Sequence, residues 1–242
     1  MFVHYRTLGF VLKKEDRGES DQLFTIFTKN FGKLKILGKS IRKIKSKLRA
    51  SIQPFYLAEV EFIQGKVYKT LTDAVRIERF KKIEKDLDKL KTAVEISEIS
   101  DRLIKGEERD KKIGNLILEA FKRLNNCPSR FNFIVFYYFL WNFFSILGYC
   151  PETEKCIFCR KRLLPKNLYF DSEQGGVICG NCFKKTKKGE KINPETIKFL
   201  RVFLKKNWKI LSKLKTKGEN NEELKEISEK YLSHLSNTLD IS

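Results

Sequence analysis

The chain has 242 residues, of which 41% are hydrophobic, enough for a packed core and too many for wholesale disorder. Its 50 lysines and arginines against 30 acids give a net charge of +20, which indicates an acidic partner, either nucleic acid or an anionic membrane surface. Six cysteines in a chain of this length do not indicate a disulfide scaffold, and no secretory signal is recognisable.

The positive charge is concentrated in two segments. Residues 1–80 carry 17 basic and 8 acidic side chains, and residues 155–217 carry 18 and 4. Residues 81–154 are nearly neutral, with 13 and 12, and residues 218–242 are acidic, with 2 and 6. General lysine enrichment would raise Glu as well, yet residues 22–58 contain no acid at all. The distribution therefore favours nucleic acid as the partner.

The N-terminal part, residues 1–75, is predicted to be β structure. The predicted strands are Phe2–Leu12, Leu23–Thr28, Lys33–Leu37, Tyr56–Phe62 and Val67–Leu71. In the third strand Leu34 and Ile36 share one face, while Lys33 and Lys35 share the other. Five short strands with a long basic connection after the third predict a small barrel of the OB-fold type, and with the helices that follow, an α+β protein.

From about Asp73 the apolar residues follow a helical period. The predicted apolar stripes are Ile83, Leu87, Leu90, Val94 and Ile99, then Ile113, Leu116, Ile117, Ala120, Phe121 and Leu124. The next segment, 131–151, has no charge over 21 residues, long enough to span a bilayer. Its asparagines and many aromatic residues favour instead a buried helix that ends a helical region, 76–154. Helices starting at Asn193-Pro194 and Glu222 predict a second helical region, 186–242.

Four cysteines form two C-x-x-C pairs separated by 19 residues. The candidate metal ligands are Cys156, Cys159, Cys179 and Cys182. Four thiolates complete a tetrahedral shell, so the spacing predicts one structural Zn²⁺ in a ribbon-like module, residues 155–185. Leu168–Phe170 and Gly175–Ile178 are predicted to form a hairpin between the pairs. Four unrelated thiols remain the alternative. Cys127 and Cys150 fit neither pair and are expected to be buried apolar residues.

No motif predicts catalysis. His4 and His234 have no partner pattern. The stretch Gly32–Ser40 reads G-x5-G-K-S, one residue longer than a phosphate-binding Walker A loop, and its interior is typical of a strand. We therefore expect a non-enzymatic protein. A metalloenzyme would require an open position on the metal ion.

The segment Lys29–Arg49 carries nine basic residues and no acid. Such like charges repel one another, and a bound polyanion would relieve the repulsion. The candidate DNA-binding residues are Lys33, Lys35, Lys39, Arg42, Lys43, Lys45, Lys47 and Arg49. The alternative interpretation is a solvated, mobile loop without a partner. Phe31, Phe55 and Tyr68 could stack on bases, although such residues more commonly pack in a core.

Short motifs occur along almost the whole chain. The N-terminal ones are Gly9-Phe-Val-Leu12, Gly18-Glu-Ser-Asp21, Phe27-Thr28, Gly32-Lys33 and Gln53-Pro54-Phe55. The later ones are Leu147–Glu152, the two cysteine pairs, Tyr169-Phe170-Asp171 and Gly175-Gly176. In order and spacing, these motifs resemble those of the RecO family. Cys150 departs from the family's usual small residue, and the chain is richer in lysine than most members.

The resemblance implies an OB domain, a helical domain and a zinc module. It implies binding of single- and double-stranded DNA, annealing of complementary strands and, with RecR, loading of RecA onto strands coated by single-stranded-DNA-binding protein. The C-terminal tail of that coating protein is an implied partner, with no membrane involved. The implied location is the bacterial cytoplasm, at the nucleoid. A general RNA-binding chaperone with a structural zinc ribbon is the alternative function.

Overall fold

The computed structural model describes residues 3–107, 109–211 and 218–238. The chain divides into two compact units, Met1–Phe136 and Tyr137–Ser242.

Five strands build the core of the first unit. They are β1 (His4–Arg17), β2 (Asp21–Thr28), β3 (Gly32–Gly38), β4 (Leu57–Ile63) and β5 (Lys69–Glu78). They close into a barrel in the order β1-β2-β3-β5-β4, and β3 pairs with β5 in parallel. This is the strand order of an OB-fold, so the predicted barrel is confirmed.

The barrel interior follows from the alternation of its strands. In β3, Leu34 and Ile36 are buried, whereas Lys35 is exposed. The connection from β3 to β4 also contributes to the core, because Ile41 and Ile52 are 1% and 0% exposed. The connection is therefore anchored in the core at Ile41 and at Ile52, on either side of its exposed residues.

Two strands are longer than the sequence pattern predicts. The strand β1 continues to Arg17, and β5 continues to Glu78, so the helical period predicted from Asp73 is wrong. A register shift in the pairing of β4 with β5 interrupts the alternation of β5 and leaves Leu71 and Ala74, three residues apart, as its buried positions. Apolar residues three positions apart are also typical of a helix. The proposed domain limit at residue 75 falls inside β5.

Helices follow the barrel. They are α1 (Lys81–Glu84), α2 (Leu87–Leu103), α3 (Lys111–Asn126) and, after a 3₁₀ turn at Ser129–Phe131, α4 (Asn132–Ile146). Asp86 and Asp110 cap α2 and α3 by accepting hydrogen bonds from two backbone amides each. The predicted stripe on α2 is wrong at Leu87 and Val94, which are exposed. Thr92, Ser97 and Ser100 occupy part of the buried face of α2 instead.

The second unit contains a small sheet and several helices. Its elements are β6 (Leu168–Asp171), β7 (Gly176–Cys179), α5 (Gly180–Thr186), β8 (Glu190–Ile192), α6 (Pro194–Leu204), α7 (Trp208–Leu211) and α8 (Gly218–Thr238). The sheet order is β7-β6-β8. The β6–β7 hairpin confirms the predicted one, whereas β8 was not predicted.

The aromatic helix α4 is buried, as predicted. Trp141 is fully buried, its Nε1 donates a hydrogen bond of 3.1 Å to Ser228 Oγ, and its ring stacks on Tyr231 at 5.3 Å between centroids. Stacked aromatic rings and a satisfied indole account for the charge-free sequence without any lipid contact. In the described part of the chain, no helix combines the length and the apolar character needed to cross a membrane.

Candidate metal centre and basic loop

The first cysteine pair lies on a tight backbone turn. Cys156 N donates to Lys161 O at 2.9 Å, and Arg160 N donates back to Cys156 O, also at 2.9 Å. Arg160 closes the turn in the left-handed region, with φ of 59°. The turn therefore directs both thiols of this pair to the same side of the loop.

The second pair lies where a strand becomes a helix. Cys179 ends β7 and is the N-cap residue of α5, and Cys182 lies in the first turn of that helix. The two pairs are joined by a hydrogen bond of 3.1 Å from Ile157 N to Val177 O. Gly176 permits this approach, because a Cβ there would lie 2.5 Å from Ile157 Cγ2.

The four sulfur atoms converge. All four Sγ atoms lie within 4.8 Å of one another, and those of Cys159 and Cys179 are 3.8 Å apart. A tetrahedral ion with metal–sulfur bonds of about 2.3 Å requires sulfur atoms about 3.8 Å apart. Cys156 is buried, Cys179 and Cys182 are half-buried, and Cys159 is exposed. The four cysteines could therefore hold a metal ion.

Their acidities show why a cation suits this cluster. Burial raises the pKa of Cys156, but the backbone amides of Cys159, Cys179 and Phe158 outweigh it and lower that pKa to about 6. Burial and the neighbouring sulfur atoms raise the pKa of Cys182 to about 12. Four thiolates cannot ionise together without a compensating positive charge, which a bound metal ion supplies.

The two remaining cysteines are not members of this cluster. Cys127 is half-buried and follows α3, and Cys150 is exposed. The prediction that Cys150 is a buried apolar residue is wrong. Its segment turns out to be surface chain between α4 and the first cysteine pair.

The second candidate site is the basic loop, residues 39–49, which connects β3 to β4. Its side chains Lys39, Lys43, Lys45, Lys47 and Arg49 are exposed. None of these five has an acidic partner among the residues that the structure describes. The same holds for the exposed Lys35 on β3. The loop therefore presents a group of uncompensated cations on the barrel.

Two of the predicted DNA-binding residues are placed differently. Lys33 is largely buried, with 17% of its side chain exposed, and its Nζ lies 3.3 Å from Asp101 Oδ1. Arg42 is exposed, but its Nη1 lies 3.2 Å from Asp16 Oδ2. Both guanidinium and ammonium are therefore engaged in ion pairs within the first unit. A role in DNA binding stays a prediction for each.

The basic side chains around the cysteine cluster were absent from the predicted site. Arg160, Lys161 and Arg162 are exposed beside the first pair, and Lys184 and Lys185 are exposed on α5. The signal that could have found them was the high net charge of residues 155–217. Four thiolates around a divalent cation would carry two net negative charges, which nearby cations of this kind would partly balance.

Residues 1–80 match the family model described as "Recombination protein O N terminal", and residues 84–237 match "Recombination protein O C terminal". The chain belongs to the RecO family. A protein of Thermoanaerobacter sp. (strain X514) named "DNA repair protein RecO" is 31% identical over 228 residues, 94% of this chain and 90% of that protein. The same name belongs to a protein of Caldanaerobacter subterraneus subsp. tengcongensis, 30% identical over 232 residues, 95% and 92% of the two chains. A protein of Bacillus subtilis (strain 168) has the same name and is 28% identical over 230 residues, which are 94% of this chain and 88% of that protein.

The two candidate sites fall in different halves of this RecO-family chain. The basic loop lies within the range of the N-terminal RecO model, and the four cysteines lie within that of the C-terminal model. The resemblance seen in the short motifs is thereby confirmed at the level of the family.

Proposed function

We propose that this chain is a DNA-binding recombination mediator. It binds single- and double-stranded DNA, anneals complementary strands and, with RecR, helps to load RecA onto strands coated by single-stranded-DNA-binding protein. The basic loop is the observation that carries the proposal. The DNA repair proteins named RecO among its relatives support it.

The loop suits phosphates because five of its cations, Lys39, Lys43, Lys45, Lys47 and Arg49, are exposed, close in sequence and without an acidic partner among the described residues. Each phosphate neutralised by Lys or Arg releases condensed counterions, and the contribution of this release to affinity falls as the salt concentration rises. Phosphates carry no sequence information, so binding through this loop is independent of base sequence. A mediator that acts wherever a strand is exposed requires such independence.

A second basic surface supports the annealing part of the proposal. Lys184, Lys185, Lys187 and Lys188 are exposed in and after α5, in the other unit. They begin the basic stretch Lys184–Lys217, of which residues 212–217 lie outside the described residues. Two basic surfaces on one chain offer a binding place to each of two strands.

We further propose that the four cysteines hold one structural zinc ion and that the protein is not an enzyme. Four thiolates occupy every position of a tetrahedral shell and leave none for water or substrate. The segment Gly32–Gly38 forms β3 and not a phosphate-binding loop, which supports annealing without a nucleotide. The proposed location is the bacterial cytoplasm, at the nucleoid.

The basic loop is tested by replacing Lys39, Lys43, Lys45 and Lys47 together with Ala. Arg42 stays in place because its guanidinium is already paired with Asp16. We expect weaker binding of single-stranded DNA, and a plot of log affinity against log salt that is flatter by up to about 3, at about 0.7 per lost phosphate contact. Fluorescence anisotropy across a salt series measures both, and the same variant should anneal complementary strands more slowly without any nucleotide.

The matched control replaces Lys81, Lys82, Lys85 and Lys91, four exposed lysines of the neutral helical region, with Ala. It removes the same charge and should leave the slope nearly unchanged. Equal losses of affinity and of salt slope in both variants would show that net charge alone accounts for the effect. A folded loop variant with unchanged affinity and slope would move the site, and the lysines of α5 are the next to replace. Tighter binding of a matched RNA strand would favour the RNA chaperone.

A further inference from the structure

The tip of the basic loop carries an isoleucine with almost no protein contact. Ile44 is 94% exposed, more than Val67 at 82% on the same barrel. A large aliphatic side chain in water is unfavourable by its apolar area, and nothing within the described chain covers this one. Its immediate neighbours, Lys43 and Lys45, are both exposed cations.

The loop backbone holds this side chain outward. Ile41 is 1% exposed in the barrel core, and Leu48 packs against the same core from the other side of the tip. Arg42 N donates to Ser20 O at 2.9 Å, and Ser46 N donates to Lys43 O at 2.9 Å. The apolar residues flanking the tip are thus anchored, whereas Ile44 between them is not. Its exposure is fixed by the fold of the loop.

We propose that Ile44 is an apolar wedge that contacts the bases of single-stranded DNA while the neighbouring lysines hold the phosphates. The inference rests on the proposed function and adds to it a contact that the lysines cannot make. Bases have apolar faces, and aliphatic side chains insert between base steps in several DNA-binding folds. The wedge reads no base edge, so it preserves sequence independence.

The positive charge around Ile44 favours single-stranded DNA as the molecule that covers this side chain. A strand whose phosphates sit on Lys43 and Lys45 has its bases within reach of the residue between them. Leu87 provides the contrast: it is 67% exposed at the start of α2, but its neighbours are Asp86 and Asp88. The immediate neighbours of Leu87 are acids and those of Ile44 are cations, so phosphates adjacent to the apolar side chain are favoured only at Ile44.

The test compares two oligonucleotides of equal length, one with all its bases and one whose central nucleotides are replaced by stable abasic residues. Both carry the same phosphates. The full-length protein should bind the intact strand more tightly than the abasic one. Ile44→Ser should lower affinity for the intact strand about tenfold and leave affinity for the abasic strand unchanged. The salt slope of Ile44→Ser should equal that of the unmodified protein, because no cation is lost.

The control variant is Leu87→Ser, which removes a similar exposed side chain between acidic neighbours and should affect neither strand. Circular dichroism establishes that both variants fold. If the unmodified protein binds neither oligonucleotide, the proposed function fails and the wedge fails with it. If it binds both strands equally, or if Ile44→Ser retains full preference for the intact strand, DNA binding stands and the wedge is overturned.

Discussion

At the scale of single residues, Asp101 is the carboxylate that joins the barrel to the helix α2. Its Oδ2 lies 2.8 Å from Lys13 Nζ, and its Oδ1 lies 3.3 Å from Lys33 Nζ. Only 17% of the Asp101 side chain is exposed. Lys33 was predicted to contact DNA because it stands in a basic run, and sequence alone could not reveal an acid 68 residues away. Its ammonium is instead neutralised within the unit.

Replacing Asp101 with Asn should destabilise the first unit by about 2 kcal/mol at neutral pH, since the largely buried ammonium of Lys33 then loses its acidic partner, whereas Lys13 keeps Glu15. Burial raises the pKa of Asp101, but the hydrogen bond from Lys13 and the charge of Lys33 hold it below the ordinary 3.8. A lowered pKa stabilises the folded state above the ordinary value, and the contribution disappears as pH falls through the folded-state value. The deficit of Asp101→Asn should therefore fade below about pH 3.8.

Urea unfolding at several pH values measures this deficit. Glu98→Gln is the matched control, because Glu98 lies exposed on the same helix and its replacement removes one negative charge. It should cost well under 1 kcal/mol. A deficit of Asp101→Asn that does not change between neutral and acidic pH would assign the loss to packing and not to the ion pairs.

At the level of helices and strands, the predictions from sequence are correct where the apolar periodicity matches the buried face of the element. The barrel strands, the buried helix α4 and the β6–β7 hairpin were predicted because their apolar residues alternate or cluster without interruption. It failed in β5, where a register shift spaces the buried residues Leu71 and Ala74 like those of a helix. It failed again in α2, where Leu87 and Val94 are exposed and a lysine is buried. Which face of a helix is covered depends on distant partners that a local pattern does not contain.

That buried lysine joins two helices. Lys89 on α2 is 5% exposed, and its Nζ donates to the carbonyl oxygens of Cys127 at 2.6 Å and Asn125 at 3.4 Å. Both acceptors lie at the C-terminal end of α3, where carbonyl groups lack helical partners and the helix dipole favours a cation. Lys89 therefore caps α3 from a neighbouring helix.

Lys89→Met keeps the length and apolar stem of the side chain but leaves those carbonyls without a donor. We expect a loss of about 2 kcal/mol in the free energy of unfolding, measured by urea denaturation. Lys91→Met, at an exposed position of the same helix, should cost less than about 0.5 kcal/mol. Equal stability of Lys89→Met and the unmodified protein would show that burial of the stem alone accounts for this lysine.

At the scale of the whole molecule, the two units depend on different sources of stability. The first unit has a closed barrel with a continuous apolar core. In the second, the cysteine pairs and the short strands β6, β7 and β8 form a small module, whose buried apolar side chains are Leu163, Leu168, Phe170, Val177, Ile178 and Ile192. Structural zinc contributes on the order of 10–16 kcal/mol in small peptides, enough to decide whether such a module folds. Dependence on the metal should therefore be local.

Freshly purified protein should contain one zinc ion per chain, and a chelator that removes it should unfold the module while the barrel stays folded. Amide hydrogen exchange distinguishes the module from the barrel: protection should be lost across residues 152–192 and kept across β1–β5.

Cys179→Ala should abolish the zinc content, whereas Cys150→Ala should not, because Cys150 lies outside the cluster. Cobalt substitution should give the spectrum of four-thiolate ligation. Zinc well below one per chain would contradict a structural metal, and equal loss of protection in both units would contradict its local role.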